Sequence, residues 1–326
     1  MPDFPGRLNL CLLFSAAILD VLLIFYLQAE IVWWSLAPML FTALAAIGVL
    51  RYLRARQAVL QFSDELMCRF DVGLKGIAFI LICLLTLRIY NHLTMGIVLP
   101  LADNLLDGWD NAIGLSWLSY FHFVQDKTVL KNVLQFAYIS FDAVCFLSFL
   151  VMAGMGLLLR VRFFCEVFLI TSLIAISIGF LFPAEGAVVQ HFGHLDALPG
   201  FSEVPGVFFV EHLNALRSGG PPNVNLLSVP GLVTFPSFHT AGGVLLAIGF
   251  LKTRLFWPVS LYSAAMIAAT PVFGGHYFVD QIAGVVLALV VCTVVASLPR
   301  YKVMFRKPVT ANIGFSDKDS ISLARR

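Results

Sequence analysis

The chain has 326 residues, 60% of them hydrophobic and only 12% charged, with a formal net charge of +2. Soluble domains carry about a quarter charged residues, so the composition excludes one, and no nucleic-acid partner is expected. A membrane protein remains.

A helix needs about 20 apolar residues to cross roughly 30 Å of hydrocarbon. Eight such runs follow one another: 8–28, 31–50, 74–99, 133–158, 163–182, 237–251, 256–273 and 277–298. None has the period of two that a membrane barrel strand shows. The pattern predicts an all-α polytopic transmembrane bundle, a six-helix core with two extra N-terminal helices. The expected organisation is two helices and a cytoplasmic linker over 1–72, a catalytic core over 73–299, and a disordered tail over 300–326 that ends DKDSISLARR. A signal peptide fits the first run poorly, because the run is too long and Leu27 is ill suited to a cut after Ala29.

Of the 21 lysines and arginines, all but four fall on one side if both termini share that side. Lys127, Lys131 and Arg217 lie opposite, and Arg88 lies within the third run. This asymmetry predicts cytoplasmic termini. The long connections, 100–131 and 183–236, are then on the outer side. The first, LADNLLDGWDNAIGLSWLSYF, reads as an interfacial helix. Its Asp103, Asp107 and Asp110 are either solvated or available to a cation or a polar headgroup. Cysteines 11, 68, 83, 145, 165 and 292 show no paired spacing, so neither a disulfide framework nor a metal site is expected.

Two stretches carry chemistry: FPSFHTAGG at 235–243 and GGHYFVDQIAG at 274–284. Pro236-Ser237 before an apolar run is a helix start with Ser237 as N-cap, and such an end suits phosphate. In the second stretch Gly274-Gly275 forms the loop, and Asp280 follows His276 at i+4, on one helical face. A carboxylate on one ring nitrogen fixes the tautomer and raises the basicity of the other, which makes a nucleophile or a base. One hairpin separates His239 from His276, so both emerge on the same outer face. Ionisable groups at membrane depth are costly and usually functional. Haem ligation by paired histidines and transport are the alternatives. Haem ligands project from facing helix interiors rather than from two helix starts, and no repeated halves with broken spans mark a transporter.

These residues resemble the type 2 phosphatidic acid phosphatase superfamily, whose second motif reads PSGH and whose third ends in a histidine followed by aspartate four residues on. FPSFHTA and HYFVDQIAG are similar to its inositol phosphorylceramide synthase-like branch. The resemblance implies lipid phosphotransfer or phosphate hydrolysis without metal or cofactor, on a membrane lipid substrate, in a membrane such as the bacterial inner membrane. It implies His276 as the nucleophile forming a phosphohistidine, Asp280 as its orienting partner, His239 as general acid and base, and Ser237 on the phosphoryl oxygens, with Gly275 and Thr270 at the same site.

The chain departs from the family pattern at three places. Phe238 stands at the motif glycine, Ala269 and Thr270 stand at the third-motif serine and arginine, and no first motif is present. Arg217 is the expected replacement cation. Arg88, beside Asn91 and His92, either reaches a headgroup or pairs within the bundle. His191, His194 and His212 are expected to be bystanders.

Overall fold

Wherever the sequence stays apolar for twenty residues or so, the chain winds into helix. The computed structural model describes residues 5–194, 197–227, 230–302 and 304. Helix α1 (Arg7–Leu27) leads through a two-residue strand, β1 (Glu30–Ile31), and a 3₁₀ turn (Trp33–Leu36) to α2 (Ala37–Ala55) and α3 (Asp64–Met95). The last of these starts ten residues before the expected run. Ser63 Oγ accepts the Leu66 N–H at 3.2 Å, and Asp64 and Glu65 lie in the first turn, where the helix dipole favours them. Polar residues here extend the helix because they pair: Asp71 holds Lys75 at 3.0 Å and also Arg54. The linker expected up to residue 72 is therefore largely helix.

Next come α4 (Asp103–Ala112), α5 (Trp117–Gln125), α6 (Thr128–Ile139), α7 (Phe141–Gly154), α8 (Leu158–Leu181), α9 (Ala187–Phe192) and α10 (Val210–Leu216). A second short strand, β2 (Asn223–Val224), precedes α11 (Phe238–Gly249), α12 (Phe256–Phe273) and α13 (Phe278–Ala296). Among the described residues six segments are long and apolar enough to cross a membrane: α1, Trp33–Ala55, α3, α8, α12 and α13.

The expected span 133–158 is in fact two helices, α6 and α7, bent by 57°. Side chains hold the break open. Ser140 Oγ donates back to the Phe136 carbonyl at 2.7 Å, and Tyr262 Oη donates to the Ala137 carbonyl at 2.9 Å. Such insertion into the backbone ladder is a common origin of a kink. The run at 237–251 yields only the 12 residues of α11, about 18 Å at 1.5 Å per residue. The single interfacial helix expected in 100–131 is likewise two, α4 and α5.

The main core lies among α3, α7, α8, α11 and α13, with Phe79, Leu87, Phe164, Leu245 and Val291 buried in it. A second cluster, including Leu106, Trp117, Phe121, Ala187, Val272 and Tyr277, packs α4, α5 and α9 over the end of the bundle where α12 finishes and α13 begins. Helices α1 and α2 flank α3 and leave Phe14, Phe25 and Phe41 exposed, as a lipid-facing surface would. The parallel pairing of Glu30 with Asn223 and Ile31 with Val224 ties that hairpin to the second long connection. At the far end Arg300 holds Glu166 at 2.8 Å and Tyr301 is fully buried, so the first residues of the expected tail belong to the bundle. Its remainder from 305 lies outside the described residues.

Candidate active site

Tyr277 is the N-cap of helix α13, and the amides at this helix start are claimed by two carboxylates. Asp280 Oδ2 accepts the Tyr277 N–H at 2.8 Å. Asp110, reaching across from α4, accepts the Phe278 N–H through Oδ2 and the Val279 N–H through Oδ1, both at 2.8 Å. The positive end of this helix is thus neutralised from within the protein. Asp280 also lies 3.2 Å from His276 Nδ1 through the same Oδ2. A carboxylate oxygen that already accepts one N–H is an acceptor for the ring too. With the proton on Nδ1, shared with Asp280, the lone pair is on Nε2.

The loop that carries His276 is held by backbone. Thr270 O accepts the Gly274 N–H at 3.0 Å and the His276 N–H at 3.3 Å, and Gly275 O accepts the Ala187 N–H at 2.8 Å. Gly275 has φ +68°, and a β-carbon there would lie 2.4 Å from the Gly206 carbonyl oxygen. Only glycine serves where two backbones pass this closely with positive φ. Asp103 braces the loop from outside, accepting Tyr277 Oη–H and the Gly186 N–H at 2.8 Å each and the Glu185 N–H at 3.0 Å.

Helix α11 begins differently. Ser237 Oγ accepts the Thr240 N–H at 3.3 Å as an N-cap, and the Phe238 and His239 amides have no acceptor among the described residues. The two helix starts are joined where Ser237 N–H donates to Asp280 O at 2.9 Å. A β-carbon on Gly284 would stand 2.4 Å from the Ser237 carbonyl oxygen, so glycine is what lets α13 approach. Phe238, at the motif glycine, packs its ring edge-on to Phe168 of α8 at 5.5 Å, so the larger side chain is absorbed by α8.

This brings His239 and His276 together, with ring centroids 6.4 Å apart and planes at 60°. His276 is only 4% exposed, Asp280 and Ser237 are fully buried, and His239 is partly accessible. Burial pulls the His276 pKa down to about 4, while a hydrogen bond to the Thr234 backbone works the other way. Burial thus favours the neutral form of the ring.

Other residues expected at the site lie differently. Thr270 is fully buried and its hydroxyl donates to Ile267 O at 2.8 Å, so what it offers the loop is its carbonyl. Gly275 serves the loop crossing. Arg217, the C-cap of α10, hydrogen-bonds the Leu99 carbonyl rather than either histidine, and its buried Nη1 has no partner among the described residues. Arg88 is half-buried on α3, where its carbonyl accepts the His92 Nδ1–H at 2.7 Å, and its guanidinium makes no ion pair among the described residues. Asp103 and Asp110 face inward onto protein donors, not outward to solvent. Of the other histidines, His191 stacks on Trp117 at 5.1 Å, His194 lies 3.7 Å from Glu185, and His212 meets His92 edge-on at 5.0 Å.

Sequence reasoning overlooked the capping role of Asp110 and the presence of Tyr138, whose ring stacks on His239 at 4.8 Å. For the first a signal existed: Asp103 and Asp110 are seven apart, two turns along one helical face. For Tyr138 there was none, since its place follows from the break between α6 and α7.

No curated protein and no solved structure matches the chain. The family model of the PAP2 superfamily matches residues 105–294, more than half of the chain and all of the segment from His239 to Asp280, and the chain belongs to that superfamily.

Proposed function

We propose that the chain is an integral membrane lipid phosphotransferase that works through a phosphohistidine on His276. The observation that carries this reading is the meeting of two imidazoles from separate helix starts, one of them with a carboxylate on Nδ1. His276 Nε2 attacks phosphorus, and the bond from phosphorus to the leaving oxygen breaks. His239 gives that oxygen a proton, and the electron pair leaves with it. In the second half an acceptor hydroxyl attacks phosphorus, passes its proton to His239, and the P–N bond breaks to restore His276. Asp280 stabilises the positive charge that develops on the His276 ring. Ser237 and the open amides of Phe238 and His239 face the phosphoryl oxygens. Asp103 and Asp110 position the loop and the last helix, and Arg217 and Arg88 are left for a headgroup that approaches from the outer side.

Phospholipids and prenyl (di)phosphates are the donor classes, and transfer to a lipid or polyol hydroxyl is favoured over water. Two features support that preference. The arginine absent from the third motif is shared with the inositol phosphorylceramide synthase-like, sphingolipid-forming branch, and a nucleophile 4% exposed is poorly placed for bulk water. A water-using lipid phosphate phosphatase is the second reading. In both, the termini are cytoplasmic and the site faces the outer side, in a bacterial inner membrane.

The test is His276→Ala, assayed against phospholipids and prenyl diphosphates with and without alcohol acceptors. Turnover is expected to fall by about 10⁴-fold or more with the protein still folded. Wild-type turnover by the variant overturns the mechanism. Products formed only when an alcohol is supplied identify a transferase.

A further inference from the structure

Among the described residues neither histidine has a lysine or arginine hydrogen-bonded to it, and near His276 stands a polar group with no assigned task. Tyr138, at the end of α6, lays its ring on His239 with planes 27° apart. Its hydroxyl continues past that ring toward the His276 loop. A β-carbon built on Gly274 would lie 3.0 Å from Tyr138 Oη and 2.8 Å from His276 Cδ2. Both atoms are therefore within about 6 Å of each other, and Cδ2 is bonded to Nε2, the attacking nitrogen. The gap between them stays open because residue 274 has no side chain.

Among the described residues the Tyr138 hydroxyl has no hydrogen-bond partner. This sets it apart from the nearby tyrosines. Tyr262 Oη donates to Ala137 O, Tyr277 Oη to Asp103, and Tyr120 Oη to Ala268 O. A phenol O–H set among apolar side chains ordinarily takes an acceptor, and this one is free to donate toward the His276 loop.

The break in the span puts Tyr138 there. Ser140 and Tyr262 hold the kink, and Phe141, just past it, contacts His239 from a second direction at 5.9 Å. A straight helix over 133–158 would carry this segment along another axis.

Resting on the phosphohistidine reading above, we propose that Tyr138 is a further catalytic residue: its hydroxyl donates a hydrogen bond to a non-bridging oxygen of the phosphoryl group on its way to His276 Nε2. It supplies part of what the missing arginine would have given, as a neutral donor that costs less to bury than a guanidinium. Positioned donors of this kind act chiefly on the transition state. The stack on His239 gives the same ring a second duty, holding the general acid at its angle.

The test uses the full chain in detergent micelles and inorganic orthovanadate, a five-coordinate mimic of phosphorus in transfer. Tyr138→Phe keeps the stack and removes only the hydroxyl, and since that hydroxyl has no protein partner the variant should unfold at the wild-type temperature. Wild type is expected to bind vanadate saturably, His276→Ala not at all, and Tyr138→Phe at least tenfold more weakly, with kcat lowered more than KM is raised on whichever lipid is turned over. Should Tyr138→Phe bind as wild type does while His276→Ala fails, the tyrosine is packing only and this inference falls alone. Equal binding by wild type and His276→Ala, or none by wild type, removes the phosphohistidine reading and this inference with it.

Discussion

The site is built from two helix starts that look alike in the sequence and differ in the fold. Each is a small-residue loop, a histidine and an apolar helix. At α13 the first amides are filled by Asp110 and Asp280, so that end is sealed and cannot meet a phosphate. At α11 only Thr240 is capped, by Ser237, and the amides before it are open. On the function proposed above, the difference teaches that one end holds the nucleophile rigidly while the other receives the anion. A carboxylate in the first turn also keeps a second anion from settling at the wrong helix.

Removing one seal and one cap should separate these duties. Asp110→Ala leaves two buried N–H groups unpaired, with an expected cost of about 3 kcal/mol in stability and a loss of about 10²-fold in kcat as His276 loses its register. Asp110→Asn, which keeps one acceptor, should fall between. Ser237→Ala takes away a cap worth about 1 kcal/mol and a phosphoryl contact, and is expected to raise KM several-fold with a smaller change in kcat. Thermal unfolding and steady-state kinetics on the same preparations check both. If both variants change KM and spare kcat, the two ends share one role.

The pH dependence bears on the sealed end. Burial lowers the His276 pKa from its ordinary value to about 4, so the neutral nucleophile survives as pH falls through the usual histidine range and is lost only toward that lower value. Phosphoenzyme formation, measured by rapid quench with labelled substrate, should not decline as pH falls through 6, about half a unit under the ordinary histidine value, since neutral His276 persists there and the acid form of His239 is only gained. The sign for stability follows from the same shift. The unfolded ring takes up a proton below about pH 6.5 and the folded ring does not, so stability contributed here declines as pH falls across that window. A rate that already halves near pH 6.5 would show that the ring is hydrated and the end open.

Much of this was legible in the residues. The apolar runs set the helices, and the hairpin between His239 and His276 required both to emerge on one face. The i+4 spacing of His276 and Asp280 gave their contact. What the sequence hid depends on contacts from distant elements. Asp110 caps a helix 168 residues away, and an interfacial acid in isolation has the pattern of a solvated one. Tyr138 lies in a run whose hydropathy is continuous across a 57° break, because Ser140 and Tyr262 make the break by hydrogen bonding and not by a proline or glycine. Arg217 was singled out as the lone cation in its loop, and a charge count carries no direction for the side chain.

The smallest effect is expected at Thr270, and it tests whether matching a motif position is enough to assign a role. The position aligns with the family's third-motif arginine, yet the hydroxyl is fully buried and donates to Ile267 O one turn back. What reaches the loop is the carbonyl, which accepts from Gly274 and His276 and is present whatever the side chain. Thr270→Val keeps shape and loses only a local side-chain hydrogen bond, worth about 1 kcal/mol. Turnover and vanadate affinity should therefore stay within about twofold of wild type, a free-energy change of less than roughly 0.5 kcal/mol. A tenfold loss would mean that the hydroxyl turns toward the phosphoryl group during the reaction. The sealed end would then hold an anion contact after all, and the division of labour between the two helix starts would fail where it is most exposed to test.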